Sequence, residues 1–138
     1  MIKIQKRNFN TEKEVQKIIS QYKNIGGVST FIGYVRNTNN NQKVFSINLE
    51  VYKDMALKYL FKLGNKAIKK WDLIDVLIIH RFGELKVNEK IVLVATFSKH
   101  RKESYLSCNY IMNYLKKDAP FWKKEIYKKN YRWLSNFK

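Results

Sequence analysis

Two short, dense apolar segments limit what this chain can fold into. The first runs from Leu73 to His80 and the second from Ile91 to Phe97. Each has the length of a buried strand, and the longest uninterrupted apolar run, Ile91 to Ala95, has only five residues. A membrane-spanning helix needs about 18 apolar residues or more. The sequence therefore predicts a protein that does not span a membrane and that is built around a buried sheet.

Apolar residues at helical spacing predict one helix near the N-terminus and a second in the middle of the chain. Thr11 and Glu14 fit a capping box that opens the first helix, and Gly26-Gly27 is expected to end it. Asp54 is expected to cap the second helix. The apolar positions that give this second helix its period of about 3.6 residues are Leu57, Leu60, Phe61, Ala67, Ile68 and Trp71.

A third helix is expected from about Lys99 to Lys117. Pro120 ends it, because proline disfavours helical backbone at the residue before it and has no N–H to donate. The residues expected to share the apolar face of this helix are Tyr105, Cys108, Ile111, Met112 and Leu115.

Further strands are predicted on both sides of the helices. The N-terminal segment IKIQKR alternates, and residues 28–36, 44–52 and the aromatic tail 121–137 have strand-like composition. Residues 28–36 and 44–52 flank the Asn-rich segment 37–42, which is interpreted as a mobile loop, so these two strands are expected to pair as an antiparallel ribbon. Strands and helices interspersed with hairpins predict an α+β fold, and the length predicts a single domain over residues 1–138.

The chain is strongly basic, with 28 basic and 11 acidic residues and a formal net charge of +17. Most of the basic residues are lysines scattered along the chain without a block of like charges, which is typical of a solvated surface. Base readout and phosphate clamps favour arginine, so a small basic nucleic-acid-binding module is the alternative interpretation and not the first. The positive field would still concentrate an anionic substrate or an acidic partner.

Metal and thiol chemistry find little support in the sequence. It contains two histidines and one cysteine, with no metal-ligand spacing and no glycine-rich phosphate loop. We therefore expect no metal site and no cofactor, and we interpret Cys108 as a buried, inert thiol. A lone cysteine forms no internal disulfide, and the N-terminus lacks an apolar signal segment, so a cytoplasmic location is expected.

Anion binding is the chemistry that two segments favour, and a third is interpreted as a turn. The segment from Ser98 to Arg101 lies where a buried strand runs into a helix, and helix N-termini attract anions. The structural alternative is that Ser98 only caps that helix. Arg36, at the end of a strand, is either a further anion ligand or an exposed side chain. In the segment from His80 to Leu85, we expect Gly83 to serve the backbone at a turn.

Two lysines near the C-terminus are candidates for catalysis. In KKDAPFWKK, Lys116 ends the third helix and Lys123 follows seven residues later, with Phe121 and Trp122 as an expected apolar wall. A lysine beside such a wall and near other cations has a lowered pKa and can act as a nucleophile or a proton shuttle. The alternative is coincidence, because lysine is frequent throughout this chain.

Taken together, these segments resemble the catalytic, large subunit of molybdopterin synthase, in order and from about Gly27 to Trp133. The matching segments are TFIGYVRN (30–37), Leu49-Glu50 with Tyr52 and Met55, HRFGEL (80–85), Ser98 with His100-Arg101, IMNYLK (111–116) and APFWKKE (119–125). No single segment is specific, but the ordered set is.

The resemblance implies an α+β fold of the α/β-hammerhead type, with a mixed or antiparallel sheet and about three helices. It implies a sulfurtransferase that converts cyclic pyranopterin monophosphate (precursor Z) to molybdopterin. The sulfur would come from the C-terminal Gly-Gly thiocarboxylate of a small ubiquitin-like carrier subunit. The family enzyme is a homodimer with one carrier at each end, which makes a heterotetramer, and it involves neither nucleic acid nor membrane.

Matched residue by residue, the family's catalytic lysines fall on Lys116 and Lys123. Its substrate-binding residues fall on Arg36, His100 and Arg101, together with Lys116. We expect Lys123 near the reacting carbon and the three anion-binding residues at the substrate phosphate.

The chain departs from the family pattern in three places. The loop after Arg36 has no glycine, Asn88 stands where glycine is frequent, and the tail after Trp133 is short. Asparagine tolerates left-handed backbone, so the turn at Asn88 is expected to survive.

Overall fold

The computed structural model describes residues 1–39, 42–126 and 131–134. Its three helices are α1 (Thr11–Ile19), α2 (Lys53–Trp71) and α3 (Arg101–Asp118). Its strands are β1 (Ile2–Gln5), β2 (Gly27–Tyr34), β3 (Thr38–Asn39), β4 (Gln42–Lys43), β5 (Ser46–Val51), β6 (Asp75–Arg81), β7 (Gly83–Lys86), β8 (Lys90–Ser98), β9 (Phe121–Ile126) and β10 (Tyr131–Leu134). The predicted α+β class with three helices is confirmed.

Two four-stranded sheets form the framework. The first has the order β1-β6-β8-β2, with β1 and β6 parallel and the other pairs antiparallel. The second has the order β10-β9-β5-β7 and is antiparallel throughout. β2 lies at an edge of the first sheet.

The two dense apolar segments are the central strands β6 and β8, as predicted. Both faces of this pair are buried, which explains why their sequences read as nearly continuous apolar runs. Val76 and Ile78 face one core, which α2 and α3 cover, whereas Leu77 and Ile79 face a second core on the side of α1. No helix in the described ranges is long and apolar enough to cross a membrane.

The predicted ribbon between residues 28–36 and 44–52 is wrong. β2 pairs with β8, and β5 pairs with β7 and β9, so the two segments belong to different sheets. The Asn-rich segment between them forms instead a short ladder of β3 with β4, and residues 40 and 41 lie outside the described part. Local composition identified these strands but carries no information about which distant strand each one meets.

Both predicted N-caps are wrong. Asn10 caps α1, because its side-chain oxygen accepts from the N–H of Lys13 at 3.0 Å. Glu14 forms an ion pair with Lys3 at 3.2 Å and does not complete a box with Thr11. α2 begins one residue earlier than Asp54, after Tyr52, which makes no side-chain cap.

The predicted first-helix end and two of the predicted apolar positions also need correction. α1 ends at Ile19, and Gly26-Gly27 leads into β2 instead. Phe61 and Tyr105 are more than half exposed, because the buried faces of α2 and α3 are centred on neighbouring positions.

Turns and the C-terminal strands follow the sequence closely. α3 ends at Asp118, and the backbone of Ala119 is extended (φ −65°, ψ 138°), as Pro120 requires. Gly83 (φ 89°) and Asn88 (φ 72°) both have left-handed backbone, so each serves a turn as expected. The predicted tail strands are confirmed as β9 and β10, while residues 127–130 and 135–138 lie outside the described part.

Candidate functional site

A cavity of about 390 Å³ lies where the end of β2, the start of β8, the C-terminal end of α3 and strand β9 meet. Both candidate catalytic lysines and one candidate anion ligand line it. Its lining residues are Phe31, Ile32, Gly33, Tyr34, Arg36, Thr38, Ile47, His80, Ile91, Val92, Met112, Leu115, Lys116 and Lys123.

Lys116 and Lys123 reach this cavity from two different elements. Lys116 lies in the last turn of α3, where its charge complements the helix dipole. The extended backbone at Ala119 and Pro120 ends the helix and starts β9, which pairs with β5 in the register Leu49 to Lys123. This reversal of the chain brings two lysines seven residues apart to the same cavity.

Arg36 lies two residues beyond the end of β2 and adds a third cation to the lining. It is exposed, as an arginine that meets an incoming anion must be. The described part of one chain therefore brings together Arg36, Lys116 and Lys123 of the residues singled out from the sequence.

His100 and Arg101 lie at the opposite end of β2. In the antiparallel pair, Gly27 is opposite Ser98, and a Cβ atom at Gly27 would be 3.6 Å from the Cα of Arg101. Arg36 is nine residues farther along nearly extended chain, which corresponds to about 30 Å at 3.3 Å per residue. One chain therefore does not bring Arg36 together with His100 and Arg101.

His100 instead lines a small separate cavity of about 150 Å³ together with Asp72 and Glu103. It is the N-cap residue of α3 and makes no side-chain cap. Ser98 does not cap the helix either, since its hydroxyl donates to the carbonyl oxygen of His100. Lys99 lines this small cavity as well, so two carboxylates and one lysine lie beside His100.

The apolar wall of the main cavity differs from the predicted one. Phe121 is buried beneath His80, and Trp122 lies on the other face of β9, where its ring meets Tyr52 edge to face at 4.9 Å. Strand alternation explains the difference, because neighbouring residues of β9 point to opposite faces of the sheet. The apolar side chains that do line the cavity beside the lysines are Ile47, Ile91, Met112 and Leu115.

His80 is the lining residue that the sequence reasoning missed. It is fully buried, and its Nδ1 lies 2.8 Å from the carbonyl oxygen of Arg81. Its ring stacks on Phe121 with 3.8 Å between the centroids and 22° between the planes. Burial lowers the pKa of His80 to about 4, so the ring is neutral at pH 7. The signal in the sequence was a histidine at the end of an otherwise apolar strand.

A second cavity of about 440 Å³ adjoins the first along the groove between β2 and α3. Phe31, Met112 and Lys116 line both cavities. Tyr105 also lines the groove, and its exposed ring lies outside the apolar face on which the sequence had placed it.

Potential metal ligands and the one cysteine were located in the described part of the chain. No group of three or more His, Cys, Asp or Glu side chains suited to a metal ion occurs among the described residues. Cys108 is buried, and burial raises the pKa of its thiol to about 11, which fits the predicted inert thiol.

The main cavity can therefore hold an anion that carries an apolar ring system. Its three cations can neutralise a phosphate or a carboxylate, and they can stabilise negative charge that develops on an oxygen during a reaction. Arg36 and Lys116 are exposed to solvent, whereas the imidazole of His80 that borders the cavity is fully buried.

One protein-family model and several known proteins match most of the chain. The model of the MoaE protein family matches residues 4–118. A molybdopterin synthase catalytic subunit from Ralstonia nicotianae is 42% identical over 96% of this chain and 76% of its own length. The corresponding subunit from Pseudomonas aeruginosa is 39% identical over 96% of this chain and 89% of its own length.

Solved structures show the same likeness. A MoaE protein from Burkholderia ambifaria has a TM-score of 0.85 and 39% identity, over 97% of this chain and 88% of that chain. A molybdopterin synthase structure from Staphylococcus aureus has a TM-score of 0.90 and 32% identity, over 96% of both chains.

Proposed function

Because the chain belongs to the MoaE protein family, we propose that it is the catalytic subunit of a molybdopterin synthase. It is a sulfurtransferase that converts cyclic pyranopterin monophosphate (precursor Z) to molybdopterin. The sulfur comes from the C-terminal thiocarboxylate of a small ubiquitin-like carrier subunit, and the reaction takes place in the cytoplasm. The observation that carries this proposal is the convergence of Arg36, Lys116 and Lys123 on one cavity with an apolar wall.

The chemistry of the reaction matches these side chains. The substrate carries a phosphate, and the carrier tail ends in an anionic thiocarboxylate, so both reactants need cations in a partly enclosed site. Sulfur transfer passes through a tetrahedral, oxyanionic species at the thiocarboxylate carbon. Lys123 stabilises this species, and Lys116 contacts the substrate or the carrier tail.

The direct test is conversion of precursor Z by the purified chain with a thiocarboxylated carrier. Lys123→Ala should abolish or nearly abolish molybdopterin formation, whereas Lys124→Ala, whose side chain alternates to the other face of β9, should retain most of it. A wild-type chain that forms no molybdopterin with a competent carrier would overturn the proposed function. A folded Lys123→Ala variant with near wild-type turnover would overturn only the role of that lysine.

The substrate phosphate binds in a site that two copies of the chain share. Arg36 of one copy and His100 and Arg101 of the other form this site in a homodimer. The geometry that supports it is the separation of about 30 Å between Gly27, beside Arg101, and Arg36 in one chain. A two-fold axis that crosses the edge strand β2 brings opposite ends of the two strands together, because such an interface is self-complementary.

Mixing two inactive variants tests the shared site. Arg36→Ala and Arg101→Ala homodimers should each bind substrate poorly. A mixed dimer restores one intact site of its two, so an equal mixture after subunit exchange should recover about a quarter of the wild-type activity. If the mixture stays as inactive as its components although exchange is demonstrated, the three residues do not form one site across the dimer.

The carrier enters as an extended C-terminal Gly-Gly tail, because only glycine lets a backbone thread a narrow channel without side-chain clashes. Two carriers bind one homodimer, which gives a heterotetramer. Deleting the two glycines should weaken binding of the carrier. Added salt should lower the affinity of the full-length carrier more than that of the truncated carrier, since exposed charges are screened within about 8 Å. Equal affinities of both carriers at every salt concentration would refute tail insertion.

The nucleic-acid alternative gains no support from the site. The cations that converge do so inside a cavity with an apolar wall and not on an open face with aromatic side chains between them.

A further inference from the structure

We infer that His80 is a positioning residue that acts through Phe121 to place Lys123 in the cavity. The inference rests on the proposed function, because it assigns Lys123 to the reacting carbon. In this proposal His80 is uncharged and acts through the contact between its ring and that of Phe121.

A hydrogen bond at the end of β6 fixes the orientation of the His80 ring. Nδ1 of His80 lies 2.8 Å from the carbonyl oxygen of Arg81, and a carbonyl only accepts, so Nδ1 carries the proton and the tautomer is fixed. Arg81 is itself held, since Nε donates to the carbonyl oxygen of Lys6 at 3.0 Å and Nη1 donates to that of Lys90 at 2.9 Å. The imidazole therefore stands on backbone that β1 and β8 hold in place.

The connection from this anchor to the lysine runs through β9. The imidazole stacks nearly parallel on the ring of Phe121, which is the first residue of β9 and is almost fully buried. Phe121 pairs with Val51, and Lys123 pairs with Leu49 in the same ladder. Residues two apart in a strand share a face, so the ring that rests on His80 and the lysine that lines the cavity belong to one side of one strand.

The stack on Phe121 and the hydrogen bond to the carbonyl oxygen of Arg81 fix this imidazole in the core. His80→Phe would keep the first of these contacts and lose the second. Burial keeps the ring uncharged at neutral pH, which avoids adding a fourth positive charge beside Arg36, Lys116 and Lys123. A flat, neutral ring under Phe121 fits the need to hold β9 without altering the charge of the site.

Three variants distinguish the effect of ring stacking on Phe121 from the effect of side-chain volume at position 80. His80→Phe keeps a ring against Phe121, His80→Leu keeps an apolar side chain without one, and His80→Ala removes both. We expect His80→Phe to retain kcat within about threefold and the other two to lose about tenfold or more, with KM within about twofold in all three. The KM should change little because the phosphate ligands lie on other elements.

A second measurement does not depend on turnover. The rate at which an amine-acylating reagent modifies Lys123, followed by mass spectrometry, should change severalfold in His80→Ala and His80→Leu and stay near wild type in His80→Phe. Lys116 serves as the internal control, because it lies on α3 and should keep its rate in all variants. This readout still decides the role of His80 if the wild-type chain proves unable to form molybdopterin.

Two outcomes would overturn the inference. Wild-type kcat and Lys123 labelling in folded His80→Leu would overturn the inference. A folded His80→Phe variant as impaired as His80→Leu would overturn it as well, since the ring stack would then not be what matters. If His80→Ala does not fold, the comparison between the phenylalanine and leucine variants carries the same test.

Discussion

The contact between Gly26 and Lys99 offers the sharpest test of how this chain positions the N-terminal end of α3. A Cβ atom at Gly26 would lie 1.9 Å from the carbonyl oxygen of Lys99, a backbone atom. Gly26 also donates its N–H to the carbonyl oxygen of Ser98 at 2.9 Å. At Gly27, by contrast, the nearest atom to a Cβ would be the Cα of Arg101 at 3.6 Å, an ordinary contact.

These distances set the expected magnitudes. Gly26→Ala forces two backbone segments apart, which costs about 1–3 kcal/mol for overpacking, and it strains a hydrogen bond worth about 1 kcal/mol. We expect a loss of about 3 kcal/mol in the free energy of unfolding. Gly27→Ala should change it by no more than about 1 kcal/mol, because the entropy lost by the unfolded chain favours alanine where there is space.

Urea unfolding followed by circular dichroism, at one protomer concentration for all variants, measures both effects. With a slope of about 2 kcal/mol per molar urea, the midpoint of Gly26→Ala should fall by about 1.5 M. The midpoint of Gly27→Ala should move by at most about 0.5 M. Equal midpoints for the two variants would refute the steric argument and the close approach on which it stands.

Three further outcomes follow from the site and the core. Lys116→Ala should raise KM about tenfold or more, while its free energy of unfolding stays within about 0.5 kcal/mol of wild type. Lys117→Ala, at the exposed neighbouring position, is the control and should leave KM unchanged. Equal effects of the two variants on KM would contradict the role of Lys116. The lowered pKa of His80 means that the unfolded chain binds a proton that the folded chain does not, so stability should fall by about 3 kcal/mol as pH drops from about 6.5 to 4. Unfolding curves of wild type and His80→Phe across this range check this, and parallel pH dependence would count against it. Cys108, with its pKa raised to about 11 by burial, should react with a disulfide reagent at pH 8 about a hundredfold more slowly in the folded chain than in urea; rapid reaction of the native thiol would mean that α3 does not bury it.

The two central strands could be predicted from the sequence because strands buried on both faces have a distinctly apolar composition. β6 and β8 are covered on both faces, so each contains an uninterrupted apolar run, Val76 to Ile79 and Ile91 to Ala95, that can be recognised without knowledge of its partners. The end of α3 was predictable for an equally local reason, since Pro120 restricts the backbone of Ala119. Lys116 and Lys123 line the same cavity because of that local stop, which is why a motif of nine residues could anticipate two of its three cations.

The pairing partners were not predictable, because they depend on contacts between distant segments. β2 and β5 each have a strand-like composition, but nothing in either sequence says that β2 meets β8 while β5 inserts between β7 and β9. The ring contact of His80 could not be predicted for the same reason, since its partner Phe121 is 41 residues away in the sequence. A histidine in an apolar strand is visible locally, but what it stacks on is not.

The order of residues along β2 defines the geometry of the proposed shared site. In an antiparallel arrangement about a two-fold axis, a residue at one end of a strand faces a residue at the other end of its mate. If Arg36 of one copy comes opposite Gly27 of the other, where Arg101 lies, the axis crosses β2 between Phe31 and Ile32. Phe31 is exposed and lines both large cavities, so the main cavity of one copy would continue into the groove of the other. Phe31→Asp should therefore weaken dimerisation and substrate binding together, by placing two carboxylates at the axis, and a variant that stays dimeric with unchanged KM would exclude an axis at this position.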